Sequence, residues 1–120
     1  SALDPEDRYG FGKKSEKAAA MEKQRLMWEQ FCQKYSGRLS AEETRAGREE
    51  ALQMLEKKDT LPPIRLKVAK YISDGYVLER NLPKALEYLE IARDADPESQ
   101  AAKKLEPWID NMRKHINQEK

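Results

Sequence analysis

The sequence is poor in the residues from which disulfide frameworks, metal centres and catalytic sites are usually built. Its 120 residues include one cysteine, Cys32, and one histidine, His115. A single cysteine excludes an internal disulfide framework and a cysteine-based zinc site. No glycine-rich segment has the spacing of a phosphate-binding loop. We therefore expect neither a cofactor nor a metal.

Long apolar segments are missing as well. No run approaches the roughly 18 apolar residues that a membrane-spanning helix requires, and no secretory signal peptide is visible. We expect a soluble chain that does not insert into membranes. The sequence leaves its compartment open: cytoplasmic, or periplasmic or secreted if a targeting segment has been removed.

Neither sign of charge is in excess. Lys and Arg number 23 against 22 Asp and Glu, for a formal charge of +1, and the two signs are interleaved along the chain. Because a nucleic-acid backbone is bound by concentrated positive charge, we do not expect DNA or RNA as a partner. Charged residues make up 38% of the chain, which suits amphipathic helices with one face in water.

The five glycines and six prolines fall mainly between segments whose apolar residues recur every three or four positions, the spacing of an α-helix. Residues 1–14 show no such period and are expected to form an irregular arm. We predict an all-α fold in which residues 15–120 form one helical-repeat domain. Its five helices are expected at about residues 15–36, 40–58, 62–74, 82–94 and 97–117.

Local signals indicate where several helices begin and end. Ser40 and Glu43 have the spacing of a capping box, and Pro62-Pro63 suits the first turn of a helix. Gly75 is expected to end the third helix. Pro107 lies inside the fifth helix, where proline removes a backbone hydrogen bond, so we expect a kink or a break just before it.

The first helix is expected to turn one apolar face inward, and Gly37 suits a left-handed cap after it. Cys32 would then be a packed core thiol rather than a nucleophile. Buried anchors are the default interpretation of Trp28 and Trp108, and His115 suits a solvated helix end. The residues expected on the inward face of the first helix are Met21, Leu26, Met27, Trp28, Phe31, Cys32 and Tyr35.

Apolar residues recur at a spacing of 37 between the first, third and fifth helices, and at 34 between the second and fourth. Such periods favour stacked helical hairpins, in which each hairpin covers the apolar face of the next. The difference predicts that the loop between the first two helices is three residues longer than that between the third and fourth. The rows at spacing 37 are Met27, Ile64 and Ala101; Phe31, Val68 and Leu105; and Tyr35, Ile72 and Ile109. The pairs at spacing 34 are Ala51 and Ala85, Leu52 and Leu86, and Leu55 and Leu89.

The segment from Ile64 to Ala92 resembles a Sel-one-like repeat, a relative of the tetratricopeptide repeat. Ile64 and Val77 depart from the family pattern, and the upstream copy, residues 31–58, is degenerate. The resemblance implies a short stack of five helices in α/α hairpins, and an adaptor or scaffold role of the kind known for this family, many of whose members are bacterial. The positions that carry the resemblance are Val68, Ala69, Ile72, Gly75, Asn81, Lys84, Ala85, Tyr88 and Ala92.

A candidate binding surface follows from the 37-residue register. In tetratricopeptide-like stacks the first helix of each hairpin lines the concave side, and equivalent positions on three such helices are occupied by Lys34, Tyr71 and Trp108. Aromatic side chains at such a surface are typical binding anchors. We expect these three side by side, with positive charge around Tyr71 that suits acidic or C-terminal carboxylate groups. The residues that supply this charge are Arg65, Lys67 and Lys70.

We therefore predict a non-catalytic protein–protein interaction module that binds another protein or a peptide, as an adaptor, a secretion accessory or an immunity-type binder. A self-associating structural domain, possible as a dimer, is the alternative, because a degenerate first repeat and a missing last helix would leave apolar edges. An enzyme is the weakest alternative, because no pocket with a titratable group is indicated.

Overall fold

A computed structural model describes the backbone of residues 12–118 and the side chains of residues 15–118. The described chain is all-α and contains no strand, which confirms the predicted fold class. The predicted irregular arm lies mostly outside the described residues, but its last three residues already belong to the first helix. The helices are α1 (Gly12–Lys34), α2 (Ala41–Glu56), α3 (Pro62–Leu78), α4 (Leu82–Ala95) and α5 (Gln100–Gln118).

The packing divides the chain into two compact units, and the boundary lies between Lys34 and Tyr35. The prediction of one domain over residues 15–120 stays a prediction. The apolar residues of α1 are spread around the helix rather than gathered on one face.

Within α1, the inward face predicted from the sequence is only partly correct. Phe31 is 4% exposed, and its ring stacks on that of Trp28 with centroids 5.0 Å apart. Leu26 and Met27 are 44% and 40% exposed, and Cys32 is exposed as well. The interpretation of Cys32 as a core thiol is therefore wrong.

In the second unit, consecutive helices pack as antiparallel hairpins: α2 on α3, α3 on α4 and α4 on α5. Small residues at the helix crossings let the backbones approach closely. Of the residues of α3 and α4 predicted from the two spacings, Ile64, Val68, Ile72, Ala85 and Leu89 are buried and Leu86 is partly buried. The core also contains Leu66, which the spacings did not select. Residues that are at most 4% exposed in this unit include Ile64, Leu66, Val68, Ala69, Ile72, Ala85, Leu89, Ala92, Ala102, Leu105 and Ile109.

Helix starts follow the chemistry of their caps. The capping box of α2 is present as predicted: the Ser40 hydroxyl accepts from the Glu43 N–H, and the Glu43 carboxylate accepts from the Ser40 N–H. The Asn81 side chain caps α4 by accepting from a backbone N–H. The fifth helix starts at Gln100, three residues later than predicted. Ser99 caps it, because its hydroxyl accepts a hydrogen bond from the backbone N–H of Ala102, in the first turn, at 3.0 Å.

Helix α3 does not end at Gly75 as expected but continues to Leu78. The chain then reverses through Arg80, whose φ of 61° is left-handed. The N–H of Arg80 donates to the carbonyl of Val77 and that of Asn81 to the carbonyl of Tyr76, both at 2.9 Å. This is the Schellman arrangement, with arginine where glycine is usual. The last turn of α3 is therefore a structured platform rather than a loop.

Helix α5 continues through Pro107 without a break, so the predicted break does not occur. The loop between α1 and α2 has six residues and that between α3 and α4 has three, which agrees with the predicted difference. Burial matches the 37-residue register at Phe31, Val68 and Leu105 but not in the row that begins at Met27. In that row Met27 and Ala101 are exposed while Ile64 is buried.

Candidate functional site: an exposed apolar groove around Trp108

Apolar side chains emerge from the second unit at the end of α3 and the middle of α5. Leu78 is 82% exposed, Trp108 59% and Val77 40%. Among the described residues of this unit, these three are the exposed large hydrophobic residues. Exposed Trp and Leu side chains that lie together, rather than singly, mark interaction surfaces.

These residues line a cavity of about 360 Å³ between α3 and α5. A second cavity, of about 550 Å³, lies between the start of α4 and α5. Trp108 and Met112 line both, so their side chains form the wall that the two cavities share. We call this surface the Trp108 groove and define it by Val77, Leu78, Leu82, Pro107, Trp108 and Met112.

The local fold explains why these side chains are exposed. Helix α3 continues past Gly75, so Val77 and Leu78 lie in its last turn, where they are 40% and 82% exposed. On α5, Ile109 is fully buried, and the preceding residue projects about 100° around the helix from it. Trp108 therefore lies at the border of the core, with one side of its ring available to solvent.

A cation flanks the indole ring. The ammonium of Lys70 lies 5.7 Å from the ring centroid of Trp108, within the range of a cation–π contact. The same ammonium pairs with the carboxylate of Asp74 at 3.1 Å. The structure thus brings Lys70, which the sequence predicts to supply charge around Tyr71, to the ring of Trp108. Lys67 is exposed on α3, one turn before Lys70.

Tyr71, expected beside Trp108, packs against α2. Its hydroxyl lies over Gly47, so closely that a Cβ added there would be 2.6 Å from the oxygen. Tyr71 also lines a cavity of about 300 Å³ between α2 and α3, and Asp74 and Leu78 line both this cavity and the one beside Trp108. Tyr71 is therefore a packing residue between α2 and α3.

Arg65 also differs from its predicted role. Its guanidinium donates to the carbonyls of Leu55 and Lys57, at 2.6 and 2.7 Å, which lack helical partners at the end of α2. Arg65 thereby joins α3 to the end of α2. Lys34 is the last residue of α1 and belongs to the first unit.

A polar cluster that the sequence analysis missed joins α2, α3 and α4. The guanidinium of Arg48 lies 4.3 Å from the ring centroid of Tyr76 and pairs with Glu79, and Tyr76 stacks on Tyr88. The Nε atom of Arg48 is buried without a hydrogen-bond partner in the described structure. Burial raises the pKa of Tyr88 above its ordinary value of 10.0. The cluster holds the ring of Tyr76 beneath the last turn of α3.

His115 lies at the edge of the second cavity, with its Nδ1 atom 3.0 Å from the carbonyl of Asn111. Among the described residues no group of three or more His, Cys, Asp or Glu side chains could hold a metal ion. None of the helices that the structure describes has the length and apolar character needed to cross a bilayer.

The sequence analysis selected Trp108 but missed Val77, Leu78 and Leu82. A signal for them existed: between Gly75 and Pro83 the chain has no further glycine or proline, so the helix could continue and carry two apolar residues outward.

Comparison with models of protein families gave no match. Comparisons with curated proteins and with solved structures gave no significant match either.

Proposed function

We propose that this protein is a non-catalytic protein–protein interaction module whose docking surface is the Trp108 groove. The observation that carries the proposal is the meeting of Val77, Leu78 and Trp108 at one exposed, concave place. Tryptophan that is partly fixed by its neighbours is among the commonest energetic centres of protein interfaces, where loss of one such side chain costs about 2 kcal/mol or more. Lys70 and Asp74 provide a polar rim on one side.

The proposal includes a repeat architecture of the Sel-one-like, tetratricopeptide-like type for the second unit. Two features support it: the hairpin order of α2 to α5, and the burial of equivalent residues on α3 and α5. Val68 of α3 and Leu105 of α5 are both buried. Ile72 and Ile109, one turn further along the same helices, are both fully buried. In such a stack α3 and α5 would occupy equivalent places, so the groove between them would be the inner surface of the repeat.

Self-association is expected to use two apolar edges, one at the degenerate first repeat and one where a last helix is missing. At the second edge the exposed residues of α5 are polar apart from Ala101, Pro107 and Trp108, and Pro107 and Trp108 belong to the Trp108 groove. This edge gives the alternative little support, whereas Leu26 and Met27 of α1 are exposed apolar residues.

The test uses the full chain, immobilised and incubated with extract of the source cell. Leu78→Ser and Trp108→Ala remove the two most exposed groove side chains, and Leu26→Ser, at an exposed apolar position of α1, is the matched control. We expect a protein that the wild type and the control capture and that both groove variants lose, with unchanged helical content by circular dichroism. Capture of the same proteins by all four chains would contradict the proposal.

A further inference from the structure

The Trp108 groove has a positively charged end. Lys67 and Lys70 follow each other on α3, and Lys104 lies one turn before Trp108 on α5. Within the described residues, neither the Lys67 nor the Lys104 ammonium forms an ion pair, whereas Lys70 pairs with Asp74. Lys70 lies beside the ring of Trp108. We therefore expect Lys67 and Lys104, which each lie one turn earlier on their own helix, to be at a similar height along the groove.

Acidic side chains on α5 are directed elsewhere. Glu106 accepts from Arg93 of α4 at 3.3 Å, and Asp110 pairs with Arg113 on its own helix at 3.6 Å. Among the described residues of α3, Asp74 is the single carboxylate. The groove therefore has three ammonium groups at one end and one carboxylate, although the whole chain is nearly neutral.

The charged part of the groove begins beside Trp108, at Lys70, and extends away from Leu78 to Lys67. From Lys67 to Leu78 there are eleven residues, which at 1.5 Å each is roughly 16 Å. An extended chain covers that distance in about five residues. An extended ligand that reaches from Lys67 to Leu78 would thus have a carboxylate and an apolar side chain about five residues apart.

On the basis of the proposed function, we infer that the Trp108 groove binds an acidic, amphipathic segment of a partner protein. Apolar side chains of that segment contact Trp108, Leu78 and Val77, and its Asp or Glu side chains face Lys67, Lys70 and Lys104. The aliphatic side chains of Val77 and Leu78 distinguish this ligand from a nucleic acid, which would bind through the lysines and through base stacking on Trp108.

The experiment is a selection of peptides from a random displayed library on the full-length wild-type protein, with counter-selection on the Leu78→Ser/Trp108→Ala variant. We expect the selected peptides to carry a net negative charge, with Asp or Glu about five residues from one or more large apolar residues. If the double variant does not fold, Leu78→Ser alone replaces it, since this side chain is 82% exposed.

A selected peptide is then synthesised and its affinity measured by fluorescence anisotropy. Lys67→Glu/Lys104→Glu should weaken binding about tenfold, since two rim pairs are replaced by repulsion. The control Arg45→Glu/Lys58→Glu makes the same change of charge at exposed positions in and just after α2 and should leave the affinity unchanged. Raising the salt from about 50 to 500 mM should weaken wild-type binding and strengthen that of the lysine variant, because salt screens the repulsion that the two glutamates introduce.

The outcomes separate the two levels of the argument. Peptides that depend on Trp108 but are neutral or basic would overturn the acidic ligand and leave the docking groove standing. No Trp108-dependent enrichment would overturn both. Binding of a single-stranded DNA that is sensitive to the lysine changes and insensitive to Leu78→Ser would also overturn the inference, in favour of a nucleic acid.

Discussion

Replacing Gly47 by alanine tests the packing between α2 and α3 most directly. Glycine in the middle of a helix is ordinarily unfavourable, and alanine there stabilises a protein by about 0.5–1 kcal/mol. Gly47 is buried, however, and a Cβ at this position would lie 2.6 Å from the Tyr71 hydroxyl and 3.3 Å from two carbon atoms of the Tyr35 ring. Both rings would have to shift.

The cost of such overpacking is about 1–3 kcal/mol. Subtracting the gain in helix propensity leaves a net loss of about 1 kcal/mol for Gly47→Ala, or a melting temperature about 4 °C lower for a chain of this size. Tyr71→Phe removes the oxygen that makes the closest contact. In that background the remaining contacts to the Tyr35 ring are 3.3 Å, so Gly47→Ala should cost much less.

The assay is a double-mutant cycle measured by urea unfolding and circular dichroism, with Ala46→Gly at the neighbouring exposed position as the control for helix propensity. We expect a coupling free energy of about 1 kcal/mol between positions 47 and 71. Two results would refute the packing of Tyr71 over α2. One is that Gly47→Ala stabilises the protein by as much as Ala46→Gly destabilises it. The other is that the effects of Gly47→Ala and Tyr71→Phe are additive.

Four further perturbations follow from single features of the fold. Arg80→Gly should raise the free energy of unfolding by about 0.5–1 kcal/mol, because its left-handed φ disfavours any side chain; a lower melting temperature would contradict this. Pro107→Ala should supply the backbone N–H that α5 lacks and stabilise it by about 1–3 kcal/mol in denaturant titrations; an unchanged midpoint would mean that the helix tolerates proline at no cost. Ser73→Ala should lose about 1 kcal/mol, since the buried hydroxyl donates to a carbonyl of α4 at 2.6 Å, and equal stability would show that this bond is not needed. The Ser40 backbone N–H holds the pKa of Glu43 below its ordinary value of 4.5. The contribution of the Glu43 carboxylate to the free energy of unfolding is thus complete above the ordinary pKa of 4.5 and is lost as the pH falls through the lower pKa of the folded state. Glu43→Gln should therefore flatten the acid side of the stability curve in urea titrations at a series of pH values, and coincident curves for the two proteins would argue against the capping role.

Much of the helical structure could be predicted from local sequence. Ser40 with Glu43 specified the start of α2 because a capping box needs only residues four positions apart or closer. The end of α3 could not be placed in the same way. Gly75 is a common stop signal, but here the hydrogen bonds around Arg80 close the helix a turn later. A stop signal is a preference, and tertiary packing of the following turn can outweigh it.

The site was predicted in part. Trp108 was selected, and Lys70 of α3 does lie against it, although the 37-residue register had paired Trp108 with Tyr71. Arg65 was expected to supply positive charge around Tyr71. Both residues instead face α2: Arg65 donates to a carbonyl at the end of α2, and the Tyr71 hydroxyl packs over Gly47. No pattern within α3 contains those partners.

The sequence by itself determined the class of the fold, the core stripes of α3 and α4 and the cap of α2. Each of these depends on residues within a few turns of one another, and helical periodicity and capping act at that range. Only the tertiary structure decided which side chains remain outside the core. Whether Trp108 or Tyr71 is exposed depends on what the neighbouring helix presents opposite it. That opposing surface is brought into place by long-range packing, which spacing along one helix does not encode.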